Sequence, residues 1–103
     1  MNREFEWDDS KARANLRNHG VSFELARRAF DDPFAILVQD RIEANEVRWQ
    51  TLGMANGVVL LLVAHTIVEW DEGIEVVRII SARRADRSQK RYYEQNRQNL
   101  LQH

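Results

Sequence analysis

Apolar and polar residues alternate at the start of the chain. Phe5 and Trp7 interleave with Glu4, Glu6 and Asp8, which predicts a short strand over 3–7. Asp8, Asp9 and Ser10 are helix N-cap residues, and early acids suit the helix dipole. A first helix over Lys11–Asn18 follows, with Gly20 as its C′ residue. Ser22 caps a second helix whose apolar stripe is Phe23, Ala26, Ala29 and Phe30. Asp32-Pro33 ends it, because proline disfavours a helical conformation in the residue before it. The middle of the chain reads as strands. Ala35–Gln39 is a short apolar one. Val47–Gly53 alternates, with Glu46, Arg48 and Gln50 on one face and Val47, Trp49 and Thr51 on the other. Asn56-Gly57 is a turn, and Val58–Thr66 is apolar on both faces, as a central strand covered on both sides must be. Asp71-Glu72-Gly73 marks a further turn and Ile74–Ala82 a further strand. From Arg84 onward no Gly or Pro interrupts a polar helix with a thin apolar stripe of Ala85, Tyr92, Tyr93, Leu100 and Leu101.

The order is β-α-α-β-β-β-β-α. Strands joined by short turns pair antiparallel, and helices segregated to the ends give an α+β domain. At 103 residues, with no internal repeat or linker, the chain reads as one domain spanning 1–103. The absence of cysteine removes disulfides, thiolate zinc sites and a cysteine nucleophile. Neither a signal peptide nor an apolar run long enough for a bilayer is present, so membrane and secreted classes are set aside. Net charge −1 argues against binding nucleic acid by bulk charge. The distribution changes that picture. Residues 78–97 hold seven basic side chains (Arg78, Arg83, Arg84, Arg87, Lys90, Arg91 and Arg97) against Asp86 and Glu94, a local charge of +5. Such a patch meets a phosphate backbone or an acidic partner.

No His-x-x-x-His, Gly-rich phosphate loop or Gly-x-Ser-x-Gly elbow is present. The acidic pairs Asp8-Asp9 and Asp31-Asp32 sit at helix ends, where capping explains them better than a metal does. His19 in the last turn of the first helix is either a cation favoured by the helix C-terminus or a general acid or base. His65 on the central strand reads as a hydrogen-bonded core residue, and His103 is terminal. Arg48 and Glu46 share a sheet face, as a charge pair or as an anion site. Arg78 stands among β-branched residues and must face solvent, a partner or a cleft. Arg83 and Arg84 lie at a strand-to-helix junction suited to phosphate, while a solvated helix face is the plain reading of the run that follows.

Several stretches resemble one family. Phe5-Glu6-Trp7-Asp8, Lys11, Asn15, His19-Gly20-Val21-Ser22-Phe23-Glu24, Ala26, Phe30 and Asp32-Pro33 are similar to the N-terminal half of the BrnT toxins. Asp40, Glu46-x-Arg48, Gly53, Arg78-Ile79-Ile80-Ser81-Ala82-Arg83-Arg84-Ala85 and Tyr93-Glu94 continue the likeness, which spans about residues 4–94. The resemblance implies a RelE-like fold, a small antiparallel sheet packed with two N-terminal helices and a C-terminal helix. It implies a cytoplasmic ribonuclease toxin of a type II toxin–antitoxin system that needs no metal or other cofactor and halts translation. The implied partners are the RNA substrate and a BrnA-type ribbon-helix-helix antitoxin, through which the pair represses its operon by binding operator DNA. A toxin homodimer within that complex is also implied. By match to the family pattern, Arg48, Arg78 and Arg83 stabilise phosphate. His19, Lys11 and Glu46 are the acid–base candidates, and Arg84, Arg87, Lys90 and Arg91 bind RNA.

Two positions depart from the pattern. Val68 stands where an Arg is usual, and Gln89 where a Glu is common. The segment 68–75 is acidic. These departures frame the alternative, a catalytically weakened module that acts only as antitoxin partner and co-repressor.

Overall fold

A computed structural model describes residues 2–70 and 73–102, and the elements follow in the expected order. β1 (Arg3–Glu6) leads into α1 (Asp9–His19), α2 (Phe23–Arg28) and a single 3-10 turn (Ala29–Asp31). β2 (Ile36–Glu43), β3 (Glu46–Ala55), β4 (Val59–Trp70) and β5 (Ile74–Arg84) follow, and α3 (Arg87–Leu101) ends the chain. The five strands form one sheet in the order β1-β5-β4-β3-β2, which makes β4 central as its two-sided apolar sequence predicts. One pairing differs from the expected antiparallel sheet. β1 runs parallel to β5, while the other neighbours are antiparallel. No hairpin turn joins β1 to β5, so nothing local fixes their direction.

Boundaries shift for identifiable reasons. α1 begins at Asp9 rather than Lys11, because Asp8 is its N-cap and accepts from the Lys11 N–H at 3.1 Å. The apolar stripe of the second helix is divided, Phe23 and Ala26 on α2 and Ala29 and Phe30 on the 3-10 turn. β2 and β3 extend to a tight turn at Ala44 and Asn45, both at positive φ. Alanine is uncommon in such a turn, and the sequence gives little sign of it. Asn56 and Gly57 have positive φ, as an Asn-Gly turn requires. α3 begins after Asp86, which leaves Arg84 on β5. Asp71 and Glu72 of the expected second turn, and His103, lie outside the described residues.

The first face of the sheet carries the main core. Val21, Phe23, Ala26 and Ala29 pack on Ala55, Leu61, Val63, Val77, Ile79 and Ala82. The 3-10 turn presses so closely on β3 that a Cβ at Gly53 would lie 2.3 Å from the Ala29 carbonyl oxygen. The second face has a smaller core of Leu52, Leu60, Ala85 and Tyr93, flanked by Phe34, Met54 and Leu62. α3 covers only this end. Of its expected stripe Tyr93 is buried, whereas Tyr92, Leu100 and Leu101 are exposed. Asp32 fastens the covered end. Its carboxylate accepts from the Phe34 and Met54 N–H groups at 2.9 and 2.8 Å and from the Tyr93 hydroxyl. Burial, then the hydrogen bond to Asp32, holds the Tyr93 phenol well above its usual pKa. Beyond α3 the second face is open.

Candidate functional site

The open face owes its charge to an irregularity in β5. Ala64 pairs with Ser81 and His65 with Ile79, so Ile80 is an extra residue that bulges from the ladder. Side chains alternate along a strand, and Arg78 and Arg83 would otherwise point to opposite faces. With the bulge between them, Arg78 stands opposite Thr66 and Arg83 opposite Leu62, on one face. Arg48 joins that face from β3, because Trp49 pairs with His65 and the preceding residue falls beside Thr66. Arg48 and Arg78 therefore flank Thr66 from two strands, with Cα atoms about 10 Å apart by strand spacing.

The three arginines are held differently. Arg78 is exposed. Arg48 has a side chain only 22% exposed, with Glu46 Oε1 3.9 Å from Nη2. Its Nε–H is buried and has no acceptor among the described residues. Arg83 donates from Nη1 to the Arg84 carbonyl and to Gln89 Oε1, each at 3.2 Å. Gln89 belongs to the capping box of α3. Its Oε1 accepts from the Asp86 N–H at 2.9 Å, and the Asp86 carboxylate accepts from the Gln89 N–H at 2.8 Å. That N–H and the Ser88 hydroxyl hold the Asp86 carboxyl below its ordinary pKa.

α1 reaches the face past the end of β1. β1 pairs only with Glu75–Arg78 of β5, which leaves the later part of that edge uncovered. The buried Asn15 side chain takes the place of a neighbouring strand there. Its Nδ2 donates to the Ala82 carbonyl at 2.9 Å, and its Oδ1 accepts from the Ala82 N–H at 3.0 Å. Nδ2 also donates to the Val21 carbonyl at 2.8 Å. About one turn further along α1, His19 lines a pocket of about 110 Å³ with Gln50, Ala64, Ser81 and Arg83.

The sequence candidates thus fall into groups. His19 and Arg83 share a pocket, Glu46 accompanies Arg48, and Arg48 and Arg78 bracket Thr66. Lys11 is exposed near the other end of α1, about 12 Å from His19 along the axis. Arg84 alternates to the side of β5 opposite Arg83. Arg87, Lys90 and Arg91 are exposed on the first turns of α3 at a spacing that makes one stripe. Val68 is exposed beside Ile74 and Val76, with Glu4 and Glu6 lining the same hollow, so this end of the face is apolar and acidic. A larger cavity, about 570 Å³, lies at the other end of the molecule by Phe34 and Tyr93. Its Arg28 and Arg97 are paired with Asp31 and Glu94, which leaves it no uncompensated cation.

His65 is a core residue, as expected. The Thr51 hydroxyl lies 2.7 Å from its Nε2, and its Nδ1 is 3.3 Å from the Thr66 carbonyl. A carbonyl only accepts, so Nδ1 carries the proton and Nε2 accepts from Thr51. Burial lowers the imidazole pKa to about 4. Two residues gained a role only in the structure. Asp86-x-x-Gln89 is a legible capping box, but its link to Arg83 is not legible. Asn15 matched a family position without any sign of its contacts. Among the described residues no group of three or more His, Asp or Glu side chains is placed to share a metal ion, and no helix is long and apolar enough to cross a membrane.

A family model described as ribonuclease toxin, BrnT, of type II toxin–antitoxin system matches residues 7–89. The crystal structure of the Brucella abortus ribonuclease toxin BrnT is similar in fold, with a TM-score of 0.61 at 20% identity. The likeness covers 84% of this chain and 100% of that one. No curated protein sequence matches the chain.

Proposed function

The chain belongs to the BrnT family of ribonuclease toxins of type II toxin–antitoxin systems, and on that premise we propose that it cleaves RNA on the open sheet face bearing Arg48, Arg78 and Arg83. The observation that carries this reading is the pocket in which His19 from α1 and Arg83 from β5 meet. Cleavage without metal uses the 2′-hydroxyl as nucleophile. Its oxygen bonds to phosphorus, the bond to the 5′-oxygen breaks, and the products are a 2′,3′-cyclic phosphate and a 5′-hydroxyl. A base must take the 2′ proton, an acid must protonate the leaving oxygen, and cations must stabilise the crowded phosphorane.

The side chains supply these parts. Arg48 and Arg78 hold the phosphate from two strands, and the buried Nε–H of Arg48 finds its acceptor there. A buried donor without an acceptor costs about 1–3 kcal/mol, a cost that phosphate binding relieves. Arg83 meets the charge that develops beside His19. His19 is the first candidate for proton transfer, since its imidazole shares the pocket with a cation. Glu46, beside Arg48, is the second. Lys11 stands too far along α1 to share the His19 pocket and serves the flanking backbone. Arg87, Lys90 and Arg91 extend the track for RNA along α3, with Arg84 at its margin. The wider reading includes a RelE-like lineage, arrest of translation in the cytoplasm and no need for a metal. It also includes a BrnA-type ribbon-helix-helix antitoxin that neutralises the toxin, carries a toxin pair in one complex and represses the operon with it.

Induction of the chain alone tests this, beside an Arg48→Ala/Arg83→Ala variant shown to fold. Growth arrest with loss of total RNA is expected from the wild type only. Normal growth with soluble wild-type protein and intact RNA would refute cleavage, and the chain would then act through its antitoxin complex alone.

A further inference from the structure

Arg83 leaves β5 immediately before the chain turns into α3, and two elements fix it. Leu62 faces its backbone across the ladder, and its guanidinium reaches Gln89 Oε1 at 3.2 Å. The same oxygen accepts from the Asp86 N–H, so it is held in place by the helix cap before it receives Arg83. The acceptor is neutral. A guanidinium oriented by an amide keeps its full positive charge, whereas one oriented by a carboxylate is already half satisfied. Nη1 is occupied by Gln89 and the Arg84 carbonyl, while Nη2 and Nε have no hydrogen-bond partner among the described residues.

We propose that Gln89 is the positioning residue of the site: its carboxamide aims Arg83 at the pocket shared with His19 and leaves the charge of Arg83 available to the scissile phosphate. This rests on the ribonuclease reading above. The role is separate from capping, because Gln89 caps α3 together with Asp86, yet only Gln89 touches Arg83. The two tasks part on substitution. Asp86→Ala removes the carboxylate that receives the Gln89 N–H, but keeps the backbone N–H that holds Gln89 Oε1. Gln89→Ala removes the acceptor for the Asp86 N–H and for Arg83, while the backbone N–H of residue 89 still donates to the Asp86 carboxylate. Gln89→Glu keeps an oxygen for each.

The experiment measures cleavage of a single-stranded RNA oligonucleotide by wild type, Asp86→Ala, Gln89→Ala, Gln89→Glu and Arg83→Ala, with thermal unfolding of each. Gln89→Ala is expected to lower kcat about 10–100-fold, the scale of a misplaced catalytic cation, with KM changed far less. Asp86→Ala loses comparable stability and stays within about twofold of wild type in kcat, because the backbone N–H that holds Gln89 Oε1 is kept. Gln89→Glu, which keeps an acceptor but sets a carboxylate against Arg83, recovers only part of the kcat lost in Gln89→Ala. Equal kcat for Gln89→Ala and Asp86→Ala, with Arg83→Ala inactive, overturns the positioning role and leaves the site standing. An active Arg83→Ala, or a wild type that does not cleave, overturns the reading of the site and the positioning role with it.

Discussion

Asn15→Ala is the substitution from which the structure predicts most. The side chain is buried and makes three hydrogen bonds, two with Ala82 and one with the Val21 carbonyl. Each is worth about 1 kcal/mol net, and a buried group left unpaired costs about 1–3 kcal/mol. Truncation orphans one N–H and two carbonyls at the β5 edge, and partial access of water lowers the sum. The expected loss is about 3–5 kcal/mol, a large share of the roughly 5–15 kcal/mol of a domain. With a urea m-value of about 1–1.5 kcal/mol/M for a chain of this size, the unfolding midpoint falls by about 2–5 M at unchanged m. Leu16→Ala next door, at a side chain 52% exposed, is the control and stays within about 0.5 kcal/mol. Asn15→Asp is at least as harmful, because an oxygen replaces the donor that serves two carbonyls. Native-state hydrogen exchange adds a local reading, since protection of the Ala82 amide depends on Asn15. A midpoint shift for Asn15→Ala worth less than about 1 kcal/mol would refute the claim that this amide substitutes for a strand.

His65 makes stability depend on pH. Its folded pKa of about 4 lies below the usual 6.5, so the unfolded chain binds more protons between these values and stability falls as pH drops from 6.5 to 4. The loss approaches about 3 kcal/mol, and His65→Gln flattens that part of the denaturation-versus-pH curve; an unchanged slope would contradict a neutral buried imidazole. Gly53→Ala sets a methyl against the Ala29 carbonyl and is expected to cost more than about 2 kcal/mol, read by thermal unfolding, because that contact involves backbone that cannot swing aside.

Much of the architecture was legible because each element had a local signature. Alternation marked the strands, Asp8 and Ser22 marked helix starts, and the two-sided apolar run Val58–Thr66 marked the central strand. Three features escaped for physical reasons. The parallel pairing of β1 with β5 is a contact between distant segments and leaves no mark in either. The Ala44-Asn45 turn uses a residue that turns seldom choose. The charge on the open face depends on the Ile80 bulge, which no composition reveals. For the site, His19, Arg48, Arg78 and Arg83 stood out by type and position, their roles came from a family likeness, and the pocket joining His19 to Arg83 came from the fold. Gln89, which stood out only as a departure from the family pattern, is the residue that holds Arg83.

The bulge at Ile80 makes the face of the sheet a matter of parity. Most substitutions in β5 alter one side chain and leave its neighbours where they were. A residue lost or gained between Arg78 and Arg83 does something else, reversing the orientation of every position after it. Ala82 would turn outward from the edge that Asn15 closes, and Arg83 would turn toward the core and away from His19. The length of this strand is therefore a stricter requirement than its composition. A lineage diverging by substitution keeps its arginines aligned, while a single codon inserted or deleted here costs it the whole face at once.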